Sequence, residues 1–264
     1  MLTLSELWIY PVKSLGGISI SQSEVEERGL RYDRRWMIVD ESGVFVTQRS
    51  VHSMALIDVA FSEGGFSLTH RSHSEKSLFL PFQPVSKKVV QVRVWDDELP
   101  ALSVSDELDS GLSEWFGRSV RLVLMPESSQ RLVDPRYAKH NETVSFADGY
   151  PVLLIGQSSL DTLNAKLEEP VSMKRFRPNL VITGSEPFAE DSWTNVRIGT
   201  AEFLVVKPCA RCVLTTVDPL TGETGSEPLK TLATFRKQGN KILFGQNLLP
   251  LPGQLAVGDT LRFS

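Results

Sequence analysis

The stretch Pro208-Cys209-Ala210-Arg211-Cys212-Val213-Leu214-Thr215-Thr216-Val217-Asp218-Pro219-Leu220-Thr221-Gly222 holds the only two cysteines of the 264-residue chain. Thiolates are soft, oxidisable donors, so placing both in one Cys-x-x-Cys run marks this segment for chemistry. The β-branched run Val213–Val217 predicts a strand, closed by an Asp-Pro turn with Gly222 beyond it. A thioredoxin-type dithiol places its pair at a helix start, which such a strand contradicts. Two further readings stay open here. One is a zinc site completed by His70 and His73, although that pair lies far away in a polar, turn-like segment; the other is a buried thiol pair with no chemistry.

Working outward, short strand-like runs dominate. Leu4–Tyr10 and Gly17–Glu26 flank a turn, and Arg35–Asp40 and Val44–Thr47 are joined by Glu41-Ser42-Gly43. Met54–Phe61, Phe66–His70, Val89–Val94 and Leu99–Val104 continue the pattern, which predicts a curled sheet or barrel. Helices are predicted at Asp106–Phe116, capped by Ser105, after Ser158 or Ser159, and at Leu229–Gln238. The polar stretch Pro126–Asn141 reads as a loop near a boundary. The fold class expected is therefore α+β, predominantly β, with units at 1–125 and 126–264.

A net charge of −4 argues against a general binder of nucleic-acid polymers or membrane surfaces. No segment has the roughly 20 apolar residues that span a bilayer. Met1–Leu7 lacks the basic start and apolar core of a secretory signal, and two cysteines make no disulfide framework. The expectation is a cytoplasmic protein with reduced thiols.

Basic residues recur at strand ends. Lys13 and Ser14 follow the first strand, Arg31, Arg34 and Arg35 surround Asp33, and Arg177 and Asn179 precede another strand. Arg forks and Lys charges bind phosphate or carboxylate, so their common placement suggests an anion pocket, while each alone reads as a surface ion pair. Asp148, in a turn before Val152, can accept hydrogen bonds from a heterocycle or simply stabilise its turn. No Ser-His-Asp set, Walker loop or dinucleotide glycine fingerprint is present.

Taken in order, Tyr10-Pro11-Val12-Lys13-Ser14, Asp33-Arg34-Arg35-Trp36, Thr47-Gln48-Arg49, Phe176-Arg177-Pro178-Asn179, Asp191-Ser192-Trp193, Cys209-Ala210-Arg211-Cys212 and Phe244-Gly245-Gln246 resemble the successive signatures of MOSC proteins with a β-barrel N-terminal domain. The resemblance spans Leu4 to Phe263. It is similar in pattern to the mitochondrial amidoxime-reducing component and its bacterial counterparts. The resemblance implies an N-terminal barrel-like domain packed on a MOSC β-barrel, and a molybdenum–pterin cofactor used to reduce N-hydroxylated compounds such as amidoximes and hydroxylamino-purines. It assigns Cys212 as the molybdenum ligand and catalytic thiolate. Lys13, Ser14, Arg34 and Arg177 would hold the pterin and its phosphate, with Asp148 and Asn179 beside it and Cys209 near the site without ligating. Bacterial members often add a ferredoxin-like domain with four cluster-binding cysteines. With two cysteines, this chain is expected to hold no iron–sulfur cluster and to take electrons from a separate transfer protein. The alternative is a non-catalytic carrier of molybdenum cofactor or sulfur.

Overall fold

The computed structural model describes residues 1–73, 75–86 and 88–263. Strand follows strand because apolar residues recur at short intervals between turns, and each run finds an edge to pair with. The largest sheet has nine strands, in the order Leu261–Phe263, Asn195–Ile198, Ala201–Ala210, Lys241–Leu251, Val152–Gly156, Leu180–Thr183, Thr3–Ile9 and Ile18–Ser19, with Lys237–Gln238 added beside Lys241–Leu251. Its neighbours are antiparallel except Val152–Gly156 and Leu180–Thr183, which run parallel. That pair needs a crossover, and the helix Gln157–Asn164 lies within it.

A four-stranded sheet runs Trp36–Val39, Arg121–Leu124, Asp97–Ser103, Val89–Val94, and the described residues form two further sheets of three strands each. The result is a predominantly β, α+β fold. Strands from the two expected units pair with one another. Thr3–Ile9 is inserted beside Leu180–Thr183, and Gln22–Glu26 pairs with Gly253–Ala256.

The run Trp36-Met37-Ile38-Val39 shows how sequence dictates this packing. All four side chains are buried. Successive residues of a strand point to opposite faces. Trp36 and Ile38 accordingly join one core with Phe66, Leu108 and Leu112, while Met37 and Val39 join another with Val94 and Val123. A continuous apolar run is what a strand covered on both faces requires.

The helix Asp106–Phe116 forms as expected, with Leu108 and Leu112 inward. Ser105 occupies the cap position in extended backbone, but its side chain makes no capping bond; three carboxylates in the first turn favour the helix dipole instead. Gly117, at φ 60°, takes the left-handed conformation that ends it.

Four expectations are corrected. Val213–Thr216 is a 3₁₀ turn, not a strand. The hydroxyls of Thr215 and Thr216 donate back to the carbonyls of Cys212 and Val213 at 3.0 and 2.8 Å, and this local bonding competes with extension. The run from Met54 begins as a 3₁₀ turn, His52–Leu56, and extends only from Ile57. The second helix starts at Gln157, so Ser158 and Ser159 lie inside it, and Ser159 instead donates to the buried Glu190 carboxylate at 2.8 Å. The third ends at Phe235, and Lys237–Gln238 turns back as a strand.

The N-terminal strand is a structural member of the large sheet, with Leu7 fully buried in its core. Leu7→Ala is expected to lower unfolding free energy by about 2–5 kcal/mol, read from urea denaturation.

Candidate active site

One pocket gathers the motifs. Lys13, Ser14, Arg34, Asp148, Arg177, Asn179, Cys209 and Cys212 all line it. They come from five separated stretches of chain, brought together where the strand order places Thr3–Ile9, Leu180–Thr183 and Ala201–Ala210 in one sheet.

The turn after Thr3–Ile9 is tied to the second sheet, since Lys13 N–H donates to the Trp36 carbonyl at 2.8 Å and Trp36 N–H to that of Pro11 at 3.1 Å. Lys13 is 5 % exposed. Its Nζ donates to the Phe146 carbonyl at 2.7 Å and to Asp148 Oδ1 at 2.6 Å. Burial pulls the Lys13 pKa down to about 8, against the opposing attraction of Asp148. For Asp148, desolvation by the surrounding protein works upward, but the charge and hydrogen bond of Lys13 outweigh it and hold the carboxyl well below its ordinary range. Asp148 is nevertheless open to the pocket, with 61 % of its side chain exposed.

Asp33 lies fully buried beneath the site, accepting from Tyr10 N–H at 2.8 Å and from Arg34 Nη1 at 2.6 Å. Burial pushes its pKa up, while Arg34 pulls it down. Arg34 continues to Asn179 Oδ1 at 3.0 Å and the Arg177 carbonyl at 3.1 Å. Both guanidinium groups lie against the Tyr10 ring, 4.3 Å and 4.2 Å from its centroid. Tyr10 donates its hydroxyl hydrogen to the Pro178 carbonyl at 3.1 Å, and burial raises its pKa to about 12. Arg177 donates from Nη1 to the Leu15 carbonyl at 2.7 Å, and burial lowers its pKa to about 10. Asn179 locks two strands together, accepting from Leu153 N–H and donating to the Trp8 carbonyl, both at 3.1 Å.

Ser14, Arg34 and Arg177 all adopt left-handed backbone, at φ 69°, 50° and 54°. Non-glycine residues rarely do so, and such strain collects at functional sites.

On the opposite wall, Cys209 lies within Ala201–Ala210, next to an irregularity in its pairing with Lys241–Leu251. Arg211 donates to Cys209 Sγ at 3.1 Å and to the Phe176 carbonyl at 2.6 Å. Cys212 follows in extended backbone with an exposed side chain, and the four-residue turn after it is no thioredoxin-type helix.

Among the described residues, two buried donors on this wall and its neighbour have no partner, Arg177 Nη2 and Arg211 Nε. Unsatisfied buried N–H groups on pocket cations suit an anionic guest, and an accessible thiol suits a soft metal. The donor set therefore fits a phosphate-bearing cofactor with a thiolate-bound metal.

Other site residues were not singled out from sequence. Thr47 and Arg49 line the pocket, and their only signal was the short Thr47-Gln48-Arg49 signature. Arg131, inside the expected loop, is nearly buried and donates to the carbonyls of Ser145, Ala147 and Asp148 at 2.8, 2.6 and 3.1 Å, clamping the turn that carries Asp148. No local pattern announced it. Asp191 and Gln246 lie outside the pocket lining. Gln246 donates to Asp191 at 2.7 Å, and Arg236 holds the other carboxylate oxygen at 2.6 Å. His70 and His73 pack ring to ring at 5.1 Å, with His70 also 5.7 Å from Trp115. Among the described residues, no group of three or more His, Cys, Asp or Glu could hold a metal ion, so these histidines do not complete a zinc site with the cysteines.

Comparison with known proteins supplies the family. The MOSC N-terminal beta barrel domain matches residues 1–119 and the MOSC domain residues 141–262. The mitochondrial amidoxime-reducing component 1 of Mus musculus is 36 % identical over 97 % of this chain and 81 % of its own length. Those of Xenopus laevis and Homo sapiens are 35 % and 34 % identical, over 95 % and 97 % of this chain and 76 % and 81 % of theirs. Among solved structures, the YUAD protein of Bacillus subtilis is similar with a TM-score of 0.44 and 9 % identity, over 99 % of this chain and 94 % of that one.

These relatives overturn the cytoplasmic expectation, because the proteins that match nearly the whole chain are named mitochondrial. Among the described residues, no helix is long and apolar enough to cross a membrane. The chain belongs to the amidoxime-reducing components, MOSC-domain proteins with an N-terminal MOSC β-barrel domain.

Proposed function

We propose that this pocket holds a molybdenum–pterin cofactor and that the chain reduces N-hydroxylated compounds, amidoximes among them, with electrons from a separate transfer protein. The observation that carries the reading is the meeting of one exposed thiol with five cations, Lys13, Arg34, Arg49, Arg177 and Arg211, in a single pocket. The names of the relatives point to the same reaction.

When bound, the cofactor supplies two-electron removal of oxygen from N–OH, so that an amidoxime, two electrons and two protons give an amidine and water. The residues of the chain do the holding. Cys212 would be the metal's protein ligand, free to bind because Arg211 engages Cys209 rather than Cys212. Ser14, Arg177 and the spare Arg211 donor would take the phosphate and pterin. Arg34 and Asn179 are fixed by Asp33 and by two strands, so they meet the cofactor with little conformational freedom left to lose. Asp148 and Lys13 share a strong ion pair at the mouth, where Lys13 keeps a proton on Nζ below about pH 8.

Protein made in a host that synthesises molybdenum cofactor is expected to carry near-stoichiometric molybdenum and to reduce benzamidoxime with an artificial electron donor. Cys212→Ala should lose both, while Cys209→Ala keeps the metal, read by elemental analysis and turnover. Stoichiometric molybdenum without turnover would favour a cofactor carrier instead.

The Lys13 charge predicts a pH dependence. Its pKa in the fold, about 8, lies below its ordinary value, so the proton is present below pH 8 and lost as pH rises through it. Retention of the anionic cofactor on dialysis should therefore weaken above pH 8, by at most about tenfold per pH unit, the slope of one proton. Lys13→Met should lack this step.

A further inference from the structure

The central pocket adjoins a second groove at Asp148-Gly149-Tyr150, since these three residues line both. The sign of charge reverses across them. Among the described residues the pocket is lined by five cations against one carboxylate, Asp148. Among the described residues the groove is lined by five carboxylates, Asp96, Asp97, Glu98, Asp134 and Asp148, and two cations, Arg131 and Lys207. Asp97 pairs with Arg131, Asp134 with Arg136 and Asp148 with Lys13, which leaves the acidic excess on Asp96 and Glu98. A guest that suits one side is therefore disfavoured on the other.

Trp95 forms the groove's aromatic wall. It begins the two-residue turn between Val89–Val94 and Asp97–Ser103, at φ 57°. Such positions ordinarily go to Gly, Asn or Asp, and a bulky aromatic there is strained. Its surroundings hold it in place. Arg49 lies 4.3 Å from the ring centroid, Phe45 packs at 5.2 Å, and indole Nε1–H donates to Asp148 Oδ1 at 3.3 Å. It is nonetheless 42 % exposed, and Leu132 adds an exposed apolar side chain to the same groove. A braced, partly open indole beside an anion-binding pocket is a stacking surface for a flat guest.

We propose that this groove is the substrate side of the site and that Trp95 is its specificity-determining platform, selecting flat aromatic substrates that are neutral or cationic over anionic or non-planar ones. This rests on the reductase reading for the identity of the substrate. An amidoxime would lie with its N–OH toward Cys212 and its aromatic body along Trp95. The amidine product, cationic at neutral pH, would leave past carboxylates rather than past the arginines.

The test uses cofactor-loaded protein carrying ¹⁵N-labelled tryptophan. The chain has five tryptophans, and Trp95→Phe assigns the indole signal of interest. Benzamidine is expected to shift the Trp95 signal saturably. Cyclohexanecarboxamidine, with the same charge and no ring face, and benzoate, flat but anionic, should each bind at least fivefold more weakly. In turnover, Trp95→Ala should raise KM for benzamidoxime about tenfold relative to acetamidoxime with kcat little changed, and Trp95→Phe should restore most of the difference. A Trp95 signal that ignores benzamidine while benzamidoxime is still reduced would overturn the groove assignment and leave the proposed function standing. A saturable Trp95 shift in protein that reduces no amidoxime would support the groove as a binding site and overturn the proposed function.

Discussion

The site depends on one buried carboxylate. Asp33 has no exposed surface, and removing such a charge from water costs several kcal/mol unless it is fully compensated. Compensation comes from the Tyr10 N–H and the Arg34 guanidinium, which ties the turn after the first strand to the segment before Trp36. Arg34 makes this contact from left-handed backbone, and its guanidinium also donates to Asn179 and the Arg177 carbonyl. One ion pair thus positions the floor of the pocket across two sheets.

The remaining cations are held in a different way. Arg177 donates to the Leu15 carbonyl and Arg211 to that of Phe176, while Lys13 divides its bonds between the Phe146 carbonyl and the Asp148 carboxylate. A neutral carbonyl orients a cation without cancelling its charge, so the pocket keeps a positive excess in partly dehydrated surroundings, where electrostatic interactions are strong. Burial lowers the pKa of both Lys13 and Arg177, which is the cost of that arrangement. Among the described residues Asp148 is the one carboxylate lining the pocket, and it stands where the cationic pocket meets the acidic groove.

Local chemistry made much of this legible in advance. The apolar run Trp36–Val39 read as a strand, though its cover on both faces came only with the structure, and the leucines of Asp106–Phe116 read as a helix stripe. The turns carrying Lys13, Arg34 and Arg177 were visible as basic residues at strand ends. Local chemistry also misled. Val213–Thr216 has the composition of a strand, yet its threonine hydroxyls find nearer acceptors than a neighbouring strand would offer. Arg131 was invisible because its role consists of contacts to carbonyls 14 to 17 residues away, and a carbonyl looks the same in every residue type.

The order and spacing of the motifs were enough to specify a predominantly β family with a thiol pair and a set of cations at strand ends, because those properties belong to individual side chains and short runs. Which cations share a pocket, which cysteine stays accessible and where the charge reverses were decided by the tertiary structure. The pairing of Thr3–Ile9 with Leu180–Thr183 brings Lys13 and Arg177 together from 164 residues apart, and nothing local to either segment encodes that partner. Arg211 engages Cys209 and leaves Cys212 exposed, a distinction between two identical side chains that only their surroundings can make.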